Sequence, residues 1–388
     1  MKQFDLDTWE EILVTITRNK TRSLLTAFGI FWGIFMLISL LGGAKGMQET
    51  LSLQFKGFAT NSGFMGTNQT SKAYRGFQQG RYWDLENKDV ERILRNVEGA
   101  DVVTPTLTRW GVNIVYNEQK ISGTLKGLYP IYSQIEEPLI TQGRYLNDMD
   151  VRDNRKVASS ANKSMNPYSR VGRKTPIAEK YIEINGIYYQ VIGVNMGTGN
   201  VSIQGNTETS VIIPFSTMQN NYNFGQKVQM IAYTARKGYA ISEVEKDIAK
   251  IVKQAHLIHP DDDQALVQLN AEVLFGMMDN LFSGIRILGW MVGLGTLLAG
   301  AIGVSNIMMV TVKERTTEIG IRRAIGARPN DILQQILSES IVLTSLAGMS
   351  GITFAVFLLN IVESATSTPT APIHFQISFW QQSELAFC

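Results

Sequence analysis

Three long apolar runs interrupt an otherwise mixed chain, at residues 23–43, 287–312 and 336–362. Each is close to the roughly 20 residues that a bilayer-spanning helix needs. Between the second and third runs lies a dense charged block, residues 313–331, containing Lys313, Arg315, Arg322, Arg323 and Arg328. A short basic loop between two spans is what the positive-inside rule assigns to the cytoplasm. Arg18, Lys20 and Arg22 precede the first run and place the N-terminus on the same side. The 240 or so residues between the first two runs must then lie on the opposite face of the membrane, by topology alone.

Residues 3–20 show Leu6, Trp9, Leu13 and Ile16 at helical spacing, with acidic residues elsewhere, which predicts an amphipathic interfacial helix. A cleaved signal peptide fits less well, because the charged leader is long and the apolar run exceeds the usual h-region. In the first run Gly29 and Gly33 stand four residues apart, a spacing that lets a second helix approach closely. Chance in a Gly-rich span accounts for that spacing nearly as well.

The long polar region predicts α+β structure. A helix is expected over residues 87–97, with Val90, Ile93, Leu94 and Val97 on one face. Strands are expected at 109–116 and 120–128 around Asn117-Glu118, and at 181–184 and 187–194 around the hairpin signal Asn185-Gly186. Residues 228–234, 241–256 and 265–269 read as a βαβ unit. From Ala271 a helical pattern runs without a breaker into the second apolar run, as a stalk would. Residues 158–178 are polar and aperiodic; we read them as a locally shifted reading frame, with a solvated insertion as the alternative.

Composition narrows the function. A hydrophobic fraction of 44% is too low for an all-membrane protein, so a few spans plus a large extramembrane part is expected. The net charge of +2 is concentrated near the spans and forms no nucleic-acid patch. One cysteine, Cys388, excludes an internal disulfide. His256 and His259 precede Asp261-Asp262-Asp263, but the spacing fits no metal-ligand pattern, so a polar loop is expected and no metal site. No phosphate-binding Gly-xxxx-Gly-Lys-Ser/Thr loop and no nucleophile–histidine constellation occurs, so the chain is expected to be neither an ATPase nor any other enzyme.

The charged block has internal order. Glu314, Glu318 and Arg322 recur every four residues, and Glu318 to Arg322 is a favourable i,i+4 pair. Gly326 falls where a helix would end, and Pro329 suits the first turn of the next. A solvated cytoplasmic turn and a docking element for a cytoplasmic partner both satisfy these facts. The run from Glu314 to Arg328 closely resembles the cytoplasmic loop of the MacB/FtsX-like permeases of ABC transporters. The polar region is similar, more loosely, to that family's periplasmic domain.

That resemblance implies a membrane protein of α-helical spans plus a large α+β extracytoplasmic domain, a non-catalytic permease subunit in the inner membrane. Its expected layout is a cytoplasmic helix (1–22), a first span (23–43), a periplasmic domain with stalk (44–283), a second span (284–312), a coupling loop (313–335), a third span (336–362) and an extracytoplasmic tail (363–388). Family members continue into a fourth span, so the chain reads as lacking it. Glu314, Arg315, Glu318, Arg322, Arg323, Gly326 and Arg328 are the implied ATPase-coupling residues, with Gly29 and Gly33 as helix-packing positions. ATP and Mg would sit on a separate ATPase subunit, with no cofactor on this chain. Other implied partners are membrane lipid, a second permease copy or a related one, a periplasmic adaptor and an outer-membrane channel. The implied function is mechanotransmission for efflux of an antimicrobial, peptide or other small molecule. The alternatives are a lipoprotein-release or cell-division permease, a nonfunctional remnant, and a membrane-anchored ligand sensor.

Overall fold

A computed structural model describes residues 20–116, 119–161, 180–196, 202–205 and 209–366. The expected amphipathic helix at 3–20, the turn residues 117–118, most of the aperiodic stretch and the tail beyond residue 366 fall outside the described residues. The chain divides into two compact units, one formed by residues up to 51 and from 278 onward, the other by residues 52–277. Helix α1, Lys20–Gln54, contains the first apolar run and continues past it. The expected boundary at residue 44 is therefore a change of composition and not of conformation. Ala44, Lys45, Met47, Gln48 and Glu49 are helix-tolerant residues and no proline intervenes.

The second unit begins with β1, Ser62–Thr67. After the short strand β2, Leu85–Glu86, come α2, Asn87–Asn96, and the long strand β3, Ala100–Tyr116. The chain continues through β4 (Gln119–Leu128), β5 (Leu139–Gly143), α3 (Asp148–Arg152), β6 (Val157–Ala161), β7 (Tyr181–Ile184), β8 (Ile187–Met196) and β9 (Ser210–Pro214). It ends with α4 (Phe215–Asn221), β10 (Lys227–Val228), β11 (Met230–Ala235), α5 (Ile241–Ala255) and β12 (Leu266–Asn270).

Two substructures share β3. On one side the order β12-β1-β11-β3, with β1 and β3 both antiparallel to β11 and β12 antiparallel to β1, makes two interlocked split βαβ units, β1-α2-β3 and β11-α5-β12. This is the ferredoxin-like arrangement. On the other side, pairings run β3-β4-β9-β6-β8-β7 and back to β3, a closed circle of six strands with no free edge. The register slips between Arg109 and Val112, at Gly111 (φ 67°), where β3 passes from one substructure to the other. α2 and α5 bury Ile93, Val244, Ile248 and Val252 against the ferredoxin-like sheet. Phe64, Val102, Leu128 and Tyr132 form a second cluster.

Three local expectations are modified. In α2, Ile93 is fully buried but Leu94 is 53% exposed, so the apolar face is narrower than the sequence suggests. The βαβ reading of 228–269 holds in sequence order, but β1 lies between its two strands. Residues 158–161, read as part of an aperiodic stretch, are the buried strand β6, paired on both sides by β8 and β9. Ala158, Ser159, Ser160 and Ala161 show no polar–apolar alternation because both faces of the strand are enclosed. The Asn185-Gly186 hairpin has both residues at positive φ (47° and 84°), the signature of a type I′ turn.

In the first unit, α6 (Ala271–Glu314) is one uninterrupted helix of 44 residues. The short α7, Thr316–Ala324, and the 38-residue α8, Pro329–Thr366, follow it. α1, α6 and α8 are each long and apolar enough to cross a membrane. Leu298, Ile302 and Phe357 are among many large apolar side chains that they expose, as lipid-facing helices do. α1 touches both others: Phe31 and Phe35 pack on Phe354 of α8, with ring centroids 5.9 and 5.3 Å apart.

Candidate functional site

The charged block folds as a helix–turn–helix between α6 and α8. Arg315 (φ −96°, ψ 11°) breaks the helical path, and its carbonyl accepts from Ile319 N to start α7. At the other end Gly326 N donates to Arg323 O and Ala327 N to Arg322 O. Those two bonds make a Schellman cap, whose left-handed position is Gly326 at φ +104°. Pro329 is then the first residue of α8, where its missing N–H costs nothing.

α7 presents two different faces. On its inner side Arg315, Glu318 and Arg322 line a cleft of about 30 Å³ together with Met308 of α6 and Gln335 and Glu339 of α8. Glu339 is only 4% exposed, and Arg315 Nη1 lies 3.4 Å from its Oε1. Arg322 donates to Glu318 Oε1 and to Gln335 Oε1, both at 2.9 Å, and so ties α7 to α8. On the outer side Arg323, Gly326 and Arg328 are exposed, and Ile321 and Ile325 are 57% and 83% exposed.

The seven residues singled out from sequence therefore do not form one surface. Arg315 and Arg322 face inward and hold the helix in place, with Glu318 half-exposed at the rim. Glu314 ends α6 before the break at Arg315, so the continuous face Glu314–Glu318–Arg322 is interrupted and only the last two share the cleft. In the sequence Ile321 and Ile325 read only as apolar contacts elsewhere on the surface and not as part of the docking set, because charge dominates the pattern there. Glu339, the one acidic residue early in the third apolar run, is expected from sequence to cap or pair near the interface, and it pairs with Arg315; Gln335 carries no such signal.

Helix packing around α1 uses small residues. A side chain added at Gly33 would come within 3.0 Å of Thr296 Oγ1 of α6, and Gly29 stands 4.0 Å from the Gly300 backbone on the same measure. At Gly351 of α8 the obstacle is the Phe31 carbonyl oxygen, 2.8 Å away.

Several side chains of the histidine–aspartate region are engaged by protein groups. His256 Nε2 is 2.8 Å from Asp89 Oδ2, and Asp89 also accepts from Arg92 and from Glu86 N. Burial alone would raise the Asp89 pKa, but these donors outweigh it and hold the carboxyl below its usual range. Asp262 accepts from Ser71 N, Ser71 Oγ and Lys72 N, and Asp263 pairs with Lys253. Among the described residues no cluster of three or more His, Cys, Asp or Glu could hold a metal ion.

Residues 23–251 match the family model described as the MacB-like periplasmic core domain, and residues 290–382 match the FtsX-like permease C-terminal model. The chain belongs to the MacB/FtsX-like permease family. It is 29% identical over 364 residues to the macrolide export ATP-binding/permease protein MacB of Mannheimia succiniciproducens, covering 91% of this chain and 53% of that protein. It is 28% identical over 342 residues to the pyoverdine export ATP-binding/permease protein PvdT of Pseudomonas putida, covering 87% of this chain and 49% of that one. The chain thus spans about half the length of the curated relatives it matches. Among solved structures, the periplasmic region of MacB from Actinobacillus actinomycetemcomitans superposes with a TM-score of 0.44 at 18% identity, over 58% of this chain and 96% of that one. The family is one of transporter permeases; its first matched region runs from within α1 to within α5, and its second begins within α6 and runs past the end of α8.

Proposed function

We propose that the chain is the permease subunit of an ABC exporter and that α7 is the element on which a separate ATPase subunit seats. The observation that carries this reading is the division of α7 into two faces. Its inner face is tied to the spans through Arg315–Glu339 and Arg322–Gln335, while Ile321, Arg323 and Ile325 project away. A helix fixed on one side and presenting an apolar pair beside a cation on the other suits docking into a partner groove. A force applied to α7 passes directly into α6 and α8, and α6 is unbroken from Ala271 to Glu314. Such a rigid element supports mechanotransmission, with ATP and Mg bound by the partner.

The positive-inside rule puts α7 and the N-terminus in the cytoplasm and the α+β unit in the periplasm. The names of the relatives favour export of a small molecule of the macrolide or pyoverdine kind over lipoprotein release or a cell-division role. A pair of permease chains, identical or related, would serve two ATPase subunits.

The test is co-purification of the tagged chain in detergent with the ABC-type ATPase. Arg323→Glu combined with Ile325→Asp should abolish recovery of the ATPase while leaving membrane insertion intact. Undiminished recovery with that double variant would remove α7's outer face from the account.

A further inference from the structure

The ferredoxin-like substructure leaves one strand edge open. β12 pairs with β1 on one side, and no strand among the described residues covers the other. Beside it runs a groove of about 760 Å³, walled by one face of α5 from Ser242 to Gln254 and by Leu257 just beyond its end, and floored by Gln268 and Asn270 of β12. Its charge is predominantly positive. Lys246 and Lys250, one turn apart and exposed on α5, have no ion-pair partner among the described residues. Arg75 closes the groove from a tight turn, where it and Gly76 both have positive φ (46° and 87°). Lys253 is already neutralised by Asp263 at 2.9 Å, and Glu245 accepts from Asn270 Nδ2 at 2.8 Å, so these groups build the groove and leave Lys246 and Lys250 unanswered.

We infer that this groove binds an extended, acidic segment of a partner polypeptide, added as a strand to the open edge of β12 with its carboxylates facing Lys246, Lys250 and Arg75. An open strand edge offers backbone donors and acceptors at alternate residues, which is the footing strand addition requires. The five residues of β12 match one short segment. The groove-facing stretch of α5, Ser242 to Gln254, is roughly 18 Å long at 1.5 Å per residue, enough for about five extended residues. The two lysines repeat every 6 Å or so along the helix, close to the ~6.6 Å between same-face residues of a strand. An acidic residue at every second position would therefore meet them in register. The inference stands on the α+β unit alone and does not require an ATPase on α7.

The full chain in lipid nanodiscs is titrated with fluorescein-labelled acetyl-Val-Glu-Val-Glu-Val-Glu-amide and followed by fluorescence anisotropy, with empty nanodiscs as the blank. Saturable binding is expected, weakened about tenfold or more by Lys246→Glu with Lys250→Glu. Both substitutions lie on the exposed face of α5 and leave its buried face untouched. Two further peptides carry N-methyl groups on alternate residues, odd in one and even in the other. Strand addition requires that one of them lose binding. Equal binding of both methylated peptides would reduce the groove to a general anion site and overturn the inference. Binding no stronger than that of the Lys-for-Glu peptide, or binding unaffected by the double variant, would overturn it as well.

Discussion

Replacing Glu339 with alanine should loosen α7 without unfolding the spans. Glu339 is 4% exposed, and its partner Arg315 keeps a quarter of its side-chain surface in contact with solvent. Breaking a fully buried pair costs about 3–5 kcal/mol, because one charge is left stranded. Arg315 can recover part of its hydration, which brings the expected loss to about 2 kcal/mol. At 1.4 kcal/mol per factor of ten, that is a roughly 30-fold increase in the population of the detached helix. Hydrogen exchange of the amides of residues 316–324 in nanodiscs reads that population directly. Glu318→Gln is the internal comparison. Its pair with Arg322 is exposed on both sides (52% and 40%), so about 0.4 kcal/mol and a twofold change are expected. If Glu339→Ala alters exchange in α7 no more than Glu318→Gln does, the buried pair is not what holds the helix.

Two further outcomes follow from the packing and the titration of the two units. Gly351→Leu should lower the melting temperature in detergent by several degrees, because its Cβ would meet a backbone oxygen of α1 at 2.8 Å, an overpacking cost of about 1–3 kcal/mol; Gly43→Ala, with open space around it, should leave melting unchanged or raise it. Asp89 and Asp150 both have carboxyls held below the usual range despite burial, by His256, Glu86 N and Arg92 in one case and by Arg144, Asn147 N and Arg155 in the other. Their stabilisation is fully present above the unfolded value of about 4 and is lost as pH falls through the lower folded values. The α+β unit should therefore lose stability steeply below about pH 4, and Asp89→Asn should lower stability at neutral pH while flattening that acid limb, as followed by tryptophan fluorescence.

What could be read in the sequence depended on whether the physics was local. The Gly326-Pro329 punctuation acts through nearest neighbours, and the end of α7 and the start of α8 fall where it places them; the apolar runs mark the spans but not their helix ends, since α1 continues to Gln54. Asn185-Gly186 was legible for the same reason. The closed circle of six strands was not, since it depends on β3 meeting β7 across about 70 residues of intervening chain. Strand β6 was hidden because a strand enclosed on both faces carries no alternation. At the charged block, spacing revealed the Glu318–Arg322 pair but not which side of α7 faces the spans. That depends on Glu339, 24 residues beyond its partner Arg315 and on a different helix. The exposed Ile321 and Ile325 became visible as a surface only once Arg315 and Arg322 had been placed on the opposite side.

The central claim is that the outer face of α7 contacts an ATPase, and photocrosslinking tests it most directly. p-Benzoylphenylalanine is placed at Ile325, the most exposed apolar position of the turn, and separately at Leu346, exposed on α8 within its apolar run. After irradiation of intact cells, the account predicts an adduct between the chain and an ABC-type ATPase subunit from position 325 and none from position 346. An absence of ATPase adducts from position 325, with the chain inserted in the membrane at normal level, would contradict it.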